Sequence, residues 1–147
     1  MTKATFPIQV RFYELDPYGH VNHSTYLQYF EAARVAWLGD IGHGLDVLQR
    51  DGTQLVVTAV ATRFIASAVL NDDLLIDTAM VQARRVRAQW VQHAWRGDEL
   101  IACQRINFAT VNRSGRPVRI PESLLEAMAG FQVDEATLAK QLPDLAL

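Results

Sequence analysis

The sequence predicts an α+β domain in which an antiparallel sheet of about five or more strands packs against one long helix. Several segments alternate apolar and polar residues at period two and are separated by short turn signals, which is typical of antiparallel strands. One longer segment repeats apolar residues at steps of three and four, as an amphipathic helix does. Because this helix follows one strand and precedes the rest, we expect the helices to lie on one side of the sheet.

The first predicted strand runs from Ile8 to Glu14 and places Ile8, Val10 and Phe12 on one face. It ends at the sequence Asp16-Pro17-Tyr18-Gly19. Proline fixes one backbone angle, and glycine allows angles that other residues resist, so these four residues predict a tight turn.

The long helix is predicted from Ser24 onward, with Asn22 as its N-cap. Three glycines after the helix predict its end, and Leu45 to Arg50 predicts one short further turn. The apolar face of the long helix is formed by Tyr26, Leu27, Phe30, Ala33, Trp37 and Leu38.

Four strands are predicted in the second half of the chain, each preceded by turn residues. They are Gln54 to Phe64, Leu74 to Ala83, Val86 to Trp95 and Glu99 to Val111. Pro121 is predicted at the first position of a helix over Glu122 to Gly130. A weak C-terminal helix or tail is expected from about residue 132 to Leu147.

Length and composition point to one packed domain over residues 1–147. Half of the residues are hydrophobic and a fifth are charged, which excludes disordered and collagen-like classes. The formal net charge is −2, so no global field draws the chain to nucleic acid or to an acidic membrane surface. We expect neither as a partner.

The single cysteine, Cys103, has no partner within the chain, and the sequence holds no metal-type spacing of Cys and His. A reducing compartment is the simplest setting for such a chain. The first residues lack the apolar run of a secretory signal, and no membrane-spanning stretch occurs. We therefore expect a soluble cytoplasmic protein.

The densest polar cluster is the loop from Asp16 to His23, between the first strand and the long helix. If Asn22 caps the helix by accepting a nearby N–H, the His23 N–H stays free for an external oxygen. Such a donor polarises a carbonyl, and one donor contributes roughly 3 kcal/mol in acyl-transfer sites. A nearby carboxylate then either attacks the carbonyl or activates water.

This loop resembles a known family. The motif Asp16-Pro-x-Gly-His-Val-Asn, together with Tyr26 and the run from Tyr29 to Arg34, is similar to acyl-CoA thioesterases of the 4-hydroxybenzoyl-CoA thioesterase type. Weaker matches follow at Asp72-Asp73, Arg84-Arg85 and Gly115-Arg-Pro-Val. The resemblance covers nearly the whole domain.

The resemblance implies a hot-dog fold, in which the sheet wraps around the central helix. It also implies homodimers whose sheets join edge to edge, often homotetramers, with active sites at the dimer interface. In the family the aspartate matching Asp16 is catalytic, and the amide matching His23 binds the thioester carbonyl. One branch also gives the histidine side chain a catalytic part. This chain departs from many relatives by having Asn22-His23 where they carry Asn-Asn, and Phe12 where the histidine branch often has tyrosine.

The remaining expected site residues bind substrate. Asn22 belongs to the loop motif, and Tyr18 and Tyr26 are expected to line an acyl pocket, although an aromatic residue at helical spacing is often simply core. The arginines at positions 84, 85 and 87 (Arg84, Arg85, Arg87) are expected to hold the phosphates of coenzyme A, the alternative being a charged sheet edge.

Other residues have structural alternatives. Asp16 could simply initiate a turn, and His23 could simply occupy the first turn of the helix. His20 is expected to pack within the loop. Glu31 is expected to pair with Arg34, and Cys103 to fill space in a strand.

The sequence therefore predicts a thioester hydrolase that converts an acyl-CoA to a carboxylic acid and coenzyme A. No metal or organic cofactor is expected, because a thiolate leaves readily and coenzyme A is part of the substrate. Two alternatives stay open: a hydratase or dehydratase acting on acyl thioesters, and a binding module for acyl-CoA or acyl-carrier protein without catalysis.

Overall fold

A computed structural model describes residues 3–134 and 136–137 of the chain. It contains one five-stranded antiparallel sheet in the order β1-β3-β4-β5-β2. The elements are β1 (Ala4–Gln9), α1 (His23–Asp40), α2 (Leu45–Asp51), β2 (Gln54–Phe64), β3 (Asp73–Arg84), β4 (Arg87–Arg96), β5 (Glu99–Val111) and α3 (Glu122–Ala129). This arrangement confirms the α+β prediction.

The first strand lies further toward the N-terminus than the sequence pattern predicts. β1 ends at Gln9, and Phe12–Glu14 forms a short 3₁₀ turn. The predicted face is wrong at its end, because Val10 is buried whereas Phe12 is 75% exposed. The carboxylate of Glu14 accepts a hydrogen bond from the Arg11 N–H at 2.8 Å. This contact closes the turn, so the chain no longer continues as a strand.

Helix α1 packs its apolar face against the sheet, as predicted. Trp37 contacts Trp90 of β4 with ring centroids 5.0 Å apart. Leu27 is 40% exposed, contrary to the prediction, whereas Tyr29 is buried. The hydroxyl of Tyr29 donates to the buried Glu14 carboxylate at 2.8 Å, so a polar contact brings this residue into the core.

The two faces of the sheet differ in what covers them. Residues such as Ile76 and Ala94 face α1 and share one apolar cluster with Phe30. On the opposite face Val91 and Cys103 pack with Val133 in a separate small cluster. The alternation follows from the period of two along each strand, which sends successive side chains to opposite sides.

Short turns connect the last three strands, so each pairs with its neighbour in sequence. β2 pairs with β5 alone and therefore forms one edge of the sheet. This position leaves one side of β2 without a strand partner in the described part of the chain. The sheet curves around α1 in the expected hot-dog arrangement.

Helix α3 covers the end of the core with Leu124 and Met128. Pro121 is its N-cap and not its first helical residue as predicted, so the helix begins one position later, at Glu122. Beyond α3, the Val133 N–H donates to the Met80 carbonyl at 2.8 Å. The segment after α3 therefore pairs with β3 at the part of its edge that β1 does not reach. The predicted C-terminal helix or tail lies mostly outside the described residues.

None of the helices within residues 3–134 and 136–137 combines the length and apolar character needed to cross a membrane.

Candidate active site

The loop between β1 and α1 is held by hydrogen bonds that begin at Asp16. One oxygen of its carboxylate, Oδ1, accepts from the Tyr18 N–H at 2.9 Å and from the His20 N–H at 3.1 Å. The Asp16 N–H donates to the His20 carbonyl at 2.7 Å. Gly19 has a positive φ of 79°, a conformation that glycine adopts without strain and that closes this turn.

The second oxygen of Asp16, Oδ2, has no hydrogen-bond partner among the residues that the structure describes. The carboxylate therefore performs two tasks with separate atoms. One oxygen fixes the turn, which is the purely structural role considered for Asp16 above. The other oxygen remains available to an external group. The Asp-Pro turn and a reactive carboxylate are thus compatible at this position.

Helix α1 begins at His23 with Asn22 as N-cap, as predicted. The Asn22 side-chain oxygen accepts from the Ser24 N–H at 3.0 Å and from the Ser24 hydroxyl at 2.9 Å. No acceptor within the described residues binds the His23 N–H. The positive end of the α1 dipole and a free N–H donor therefore coincide at His23.

Asp16 and His23 line the same pocket, which has a volume of about 310 Å³. Tyr26 and the end of β2 form its other wall, where the His23 ring meets the Phe64 ring edge-on at a centroid distance of 6.4 Å. The full lining is Asp16, His20, Val21, His23, Tyr26, Phe64, Ile65, Ala66 and Ser67. The pocket thus brings together the two residues expected to be catalytic.

The expected substrate-binding residues near the loop have different positions. Tyr26 is buried in the pocket wall, and burial raises the pKa of its phenol against the opposing effect of a hydrogen bond from the Ala68 backbone. Tyr18 is 84% exposed and lies outside the lining, as does Asn22, which serves as the cap. His20 was expected only to pack within the loop, but it also lines the pocket.

The three arginines lie at the other end of the sheet. Arg84 pairs with Arg87 across the β3–β4 hairpin, and Arg85 occupies the turn between them with a φ of 43°. Arg87 pairs with Ala109 of β5, and Phe64 at the pocket pairs with Ala102 of the same strand. These two β5 residues are seven positions apart, which corresponds to about 23 Å at 3.3 Å per residue. The structure therefore does not bring these arginines to Asp16 within one chain. Arg84 and Arg87 instead flank a surface groove of about 590 Å³.

Two other predictions concern buried or helical side chains. Cys103 is buried as expected, and burial raises the pKa of its thiol to about 11, which disfavours the nucleophilic thiolate. The expected pairing of Glu31 with Arg34 is wrong. The Arg34 guanidinium instead donates to the side-chain oxygens of Gln92 at 2.9 Å and Gln104 at 3.1 Å.

In the described part of the chain, no group of three or more His, Cys, Asp or Glu side chains is placed to hold a metal ion. The expected hydrolysis without a cofactor stays a prediction.

Sequence reasoning missed the segment after β2 as part of the pocket. Its position is fixed by Arg96, whose guanidinium donates to the Ser67 carbonyl at 2.9 Å and to the Asp72 carboxylate at 2.7 Å. The Val69 N–H and Arg96 lower the pKa of Asp72 against the effect of burial, which keeps this carboxylate charged. The Asp72-Asp73 pair in the sequence was the one available signal, and it does not reveal the arginine partner.

Comparison with known proteins gives concordant results. "Acyl-CoA thioesterase YbgC" from Haemophilus influenzae is 25% identical over 125 residues, covering 84% of this chain and 92% of that protein. "Acyl-acyl carrier protein thioesterase ATL3, chloroplastic" from Arabidopsis thaliana is also 25% identical, over 126 residues, but this chain spans only 66% of its length. The crystal structure of a probable thioesterase from Bartonella henselae superposes with a TM-score of 0.78 at 26% identity, over 82% of this chain and all of that one.

The family model described as the thioesterase-like superfamily matches residues 10–128, which include the loop, α1 and all strands after β1. This match confirms the family that the loop motif indicated and supports the predicted class of enzyme, a thioester hydrolase. The chain belongs to the thioesterase-like superfamily.

Proposed function

We propose that this protein hydrolyses an acyl-CoA thioester to a carboxylic acid and coenzyme A at the pocket that contains Asp16 and His23. The observation that carries the proposal is the presence of a carboxylate oxygen without a partner and a free helix N-terminal N–H at one pocket. A carboxylate that acts as base or nucleophile and an N–H that binds the carbonyl oxygen can together hydrolyse a thioester.

The His23 N–H donates to the carbonyl oxygen of the thioester and stabilises the negative charge that develops there. Asp16 either attacks the carbonyl carbon or removes a proton from an attacking water. In both routes water supplies the hydroxyl of the product acid, and the thiolate of coenzyme A leaves with the electron pair of the C–S bond and takes up a proton. We assign the supply of that proton to the exposed imidazole of His23, which lines the same pocket.

The coenzyme A part of the proposal requires two copies of the chain. Within one chain, the arginines lie about 23 Å along the sheet from the pocket. If β2 of a second copy pairs antiparallel with β2, the start of the partner strand lies beside Phe64, which borders the pocket. The β3–β4 hairpin of the second copy, which carries Arg84, Arg85 and Arg87, then approaches Asp16 of the first copy.

Features of β2 support such pairing. It is an edge strand of eleven residues, and it exposes Val56, Val57, Val60 and Phe64 by 40–48%. A long apolar edge strand is a template for pairing with another chain. We therefore propose a homodimer with a continuous sheet and an active site at its interface, which can associate further into a tetramer. The substrate identity draws support from the acyl-CoA and acyl-carrier-protein thioesterases among the relatives.

The test is a thiol-release assay with acyl-CoAs of different chain length, aromatic acyl-CoAs and acyl-carrier protein. We expect turnover of at least one class, and a reduction of kcat by about 100-fold or more in Asp16→Asn. Asparagine retains the Oδ1 acceptor for the Tyr18 and His20 N–H groups, so the loop should keep its shape.

Near wild-type turnover in Asp16→Asn would exclude the proposed role of this carboxylate. Tight binding of acyl-CoA without any thiol release would instead identify a binding module. His23→Ala serves as a matched variant, because it removes the imidazole but keeps the backbone N–H.

A further inference from the structure

A second pocket of about 310 Å³ lies between α1, α2 and β2. It shares no lining residue with the pocket of Asp16. Arg34 lines it and lies eleven residues after His23 on α1, or about 16 Å along the helix at 1.5 Å per residue. Its walls are largely apolar, formed among others by Val35, Leu38, Leu48, Leu55, Trp90 and Phe108.

Arg34 gives this apolar pocket a positive charge. Both contacts of its Nη1 are to neutral amide oxygens, those of Gln92 and Gln104. Its Nε and Nη2 donate to no acceptor among the described residues, and neither atom is sealed from solvent. No carboxylate in the described part of the chain forms an ion pair with the guanidinium. A partly buried cation thus retains donors that face accessible space.

Glu31 is the other charged residue of the lining. It lies one turn before Arg34, is exposed, and acts on Arg34 through charge alone: burial lowers the pKa of the guanidinium and the Glu31 carboxylate opposes this effect. Because water screens an exposed carboxylate, Glu31 offsets only part of the positive charge.

We propose that this pocket binds an organic acid with an apolar body, with its carboxylate on Nε and Nη2 of Arg34 and its hydrocarbon or aryl part against the apolar walls. Guanidinium groups pair with carboxylates through two parallel N–H donors, and a largely apolar cavity with a small number of polar or charged groups is the usual form of a small-molecule site. The proposal rests on the proposed function for the natural ligand, because carboxylic acids are the product class of thioester hydrolysis.

The test is isothermal titration calorimetry of the full chain with octanoate and with 1-octanol, which have the same chain length. We expect octanoate to bind at least tenfold more tightly than octanol. In Arg34→Met this preference should disappear, whereas Arg119→Met, which removes an exposed arginine, should retain it. Leu45→Trp should weaken both ligands by filling the pocket from its exposed side.

Arg34 also holds two buried glutamines, so Arg34→Met could fail to fold. Glu31→Gln then provides the decisive measurement, since it alters an exposed residue. We expect it to tighten octanoate about threefold or more and to leave octanol unchanged. Equal affinity for the two ligands in the wild-type protein, absence of binding, or no effect of Glu31→Gln would overturn the proposal.

The result is independent of thioester chemistry. Octanoate should bind Asp16→Asn as it binds the wild-type protein, because Asp16 lies outside this pocket. A wild-type protein that binds octanoate but hydrolyses no acyl thioester would refute only the proposed function. Normal hydrolysis without octanoate binding would refute only the Arg34 site.

Discussion

Asn22 connects the stability of α1 with the chemistry proposed at His23. Its side-chain oxygen accepts from the Ser24 N–H and the Ser24 hydroxyl. Its own backbone N–H donates to the Glu14 carbonyl at 2.9 Å, and its carbonyl accepts from the Thr25 N–H at 2.9 Å. A change of this side chain therefore removes the cap and leaves the backbone contacts of the loop in place.

Asn22→Ala should lower the free energy of unfolding by about 1 kcal/mol, the usual contribution of an N-cap side chain. For a domain of this size that corresponds to a decrease in Tm of roughly 2–4 °C. Asn22→Asp retains the acceptor and adds a negative charge at the positive end of the helix, which should stabilise the fold by about 0.3–1 kcal/mol.

Activity should respond in the opposite direction in the aspartate variant. The added charge lies next to His23, where negative charge develops on the carbonyl oxygen. For an assumed separation of about 6 Å, two such charges repel by about 3 kcal/mol at an effective dielectric constant of about 20. We therefore expect Asn22→Asp to melt at a higher temperature than the wild-type protein and to have a kcat at least tenfold lower.

The assay combines thermal unfolding by circular dichroism with thiol-release kinetics on the same samples. Ser24→Ala is the control, because it removes the exposed hydroxyl contact and keeps the capping bond to the Ser24 N–H. An unchanged Tm in Asn22→Ala would contradict the capping argument. A wild-type kcat in Asn22→Asp would contradict the role of the His23 N–H.

Three further predictions concern other parts of the molecule. Burial alone would raise the pKa of Asp77, but its contacts with His93, Trp95 and Lys3 outweigh burial and lower this pKa. The charged carboxylate therefore stabilises the folded protein above about pH 4, and this stabilisation is lost as the pH falls further. Asp77→Asn should thus destabilise the fold by about 3 kcal/mol at pH 7 and by much less at pH 2, and equal losses in urea unfolding at both pH values would be the contrary result. Replacing Arg84 and Arg85 together by Ala should raise KM for an acyl-CoA more than for a thioester without the nucleotide, and equal changes would speak against phosphate binding. Val60→Lys should shift the protein toward monomer in analytical ultracentrifugation, since each added charge meets its copy across paired edges; an unaltered dimer would argue against pairing through β2.

The fold followed from local patterns where one kind of element continued over many residues. The limits of β2 and β5 agree with the predicted ones, and Asn22 caps α1 as expected, because alternation and capping chemistry involve neighbouring residues. The prediction failed at Phe12, where the alternating pattern continues into the 3₁₀ turn. There the contact between Glu14 and Tyr29, fifteen residues apart, overrides the local signal.

The loop motif already contained the candidate chemistry, because Asp16, Asn22 and His23 lie within eight residues and their turn and cap are local structures. Three features depend on which strands pair and in what register: the pocket wall from Phe64 to Ser67, the two glutamine partners of Arg34 and the distance of the arginines from Asp16. Those contacts join residues far apart in the chain. Their geometry arises from packing around α1, and no pattern within a single segment contains it.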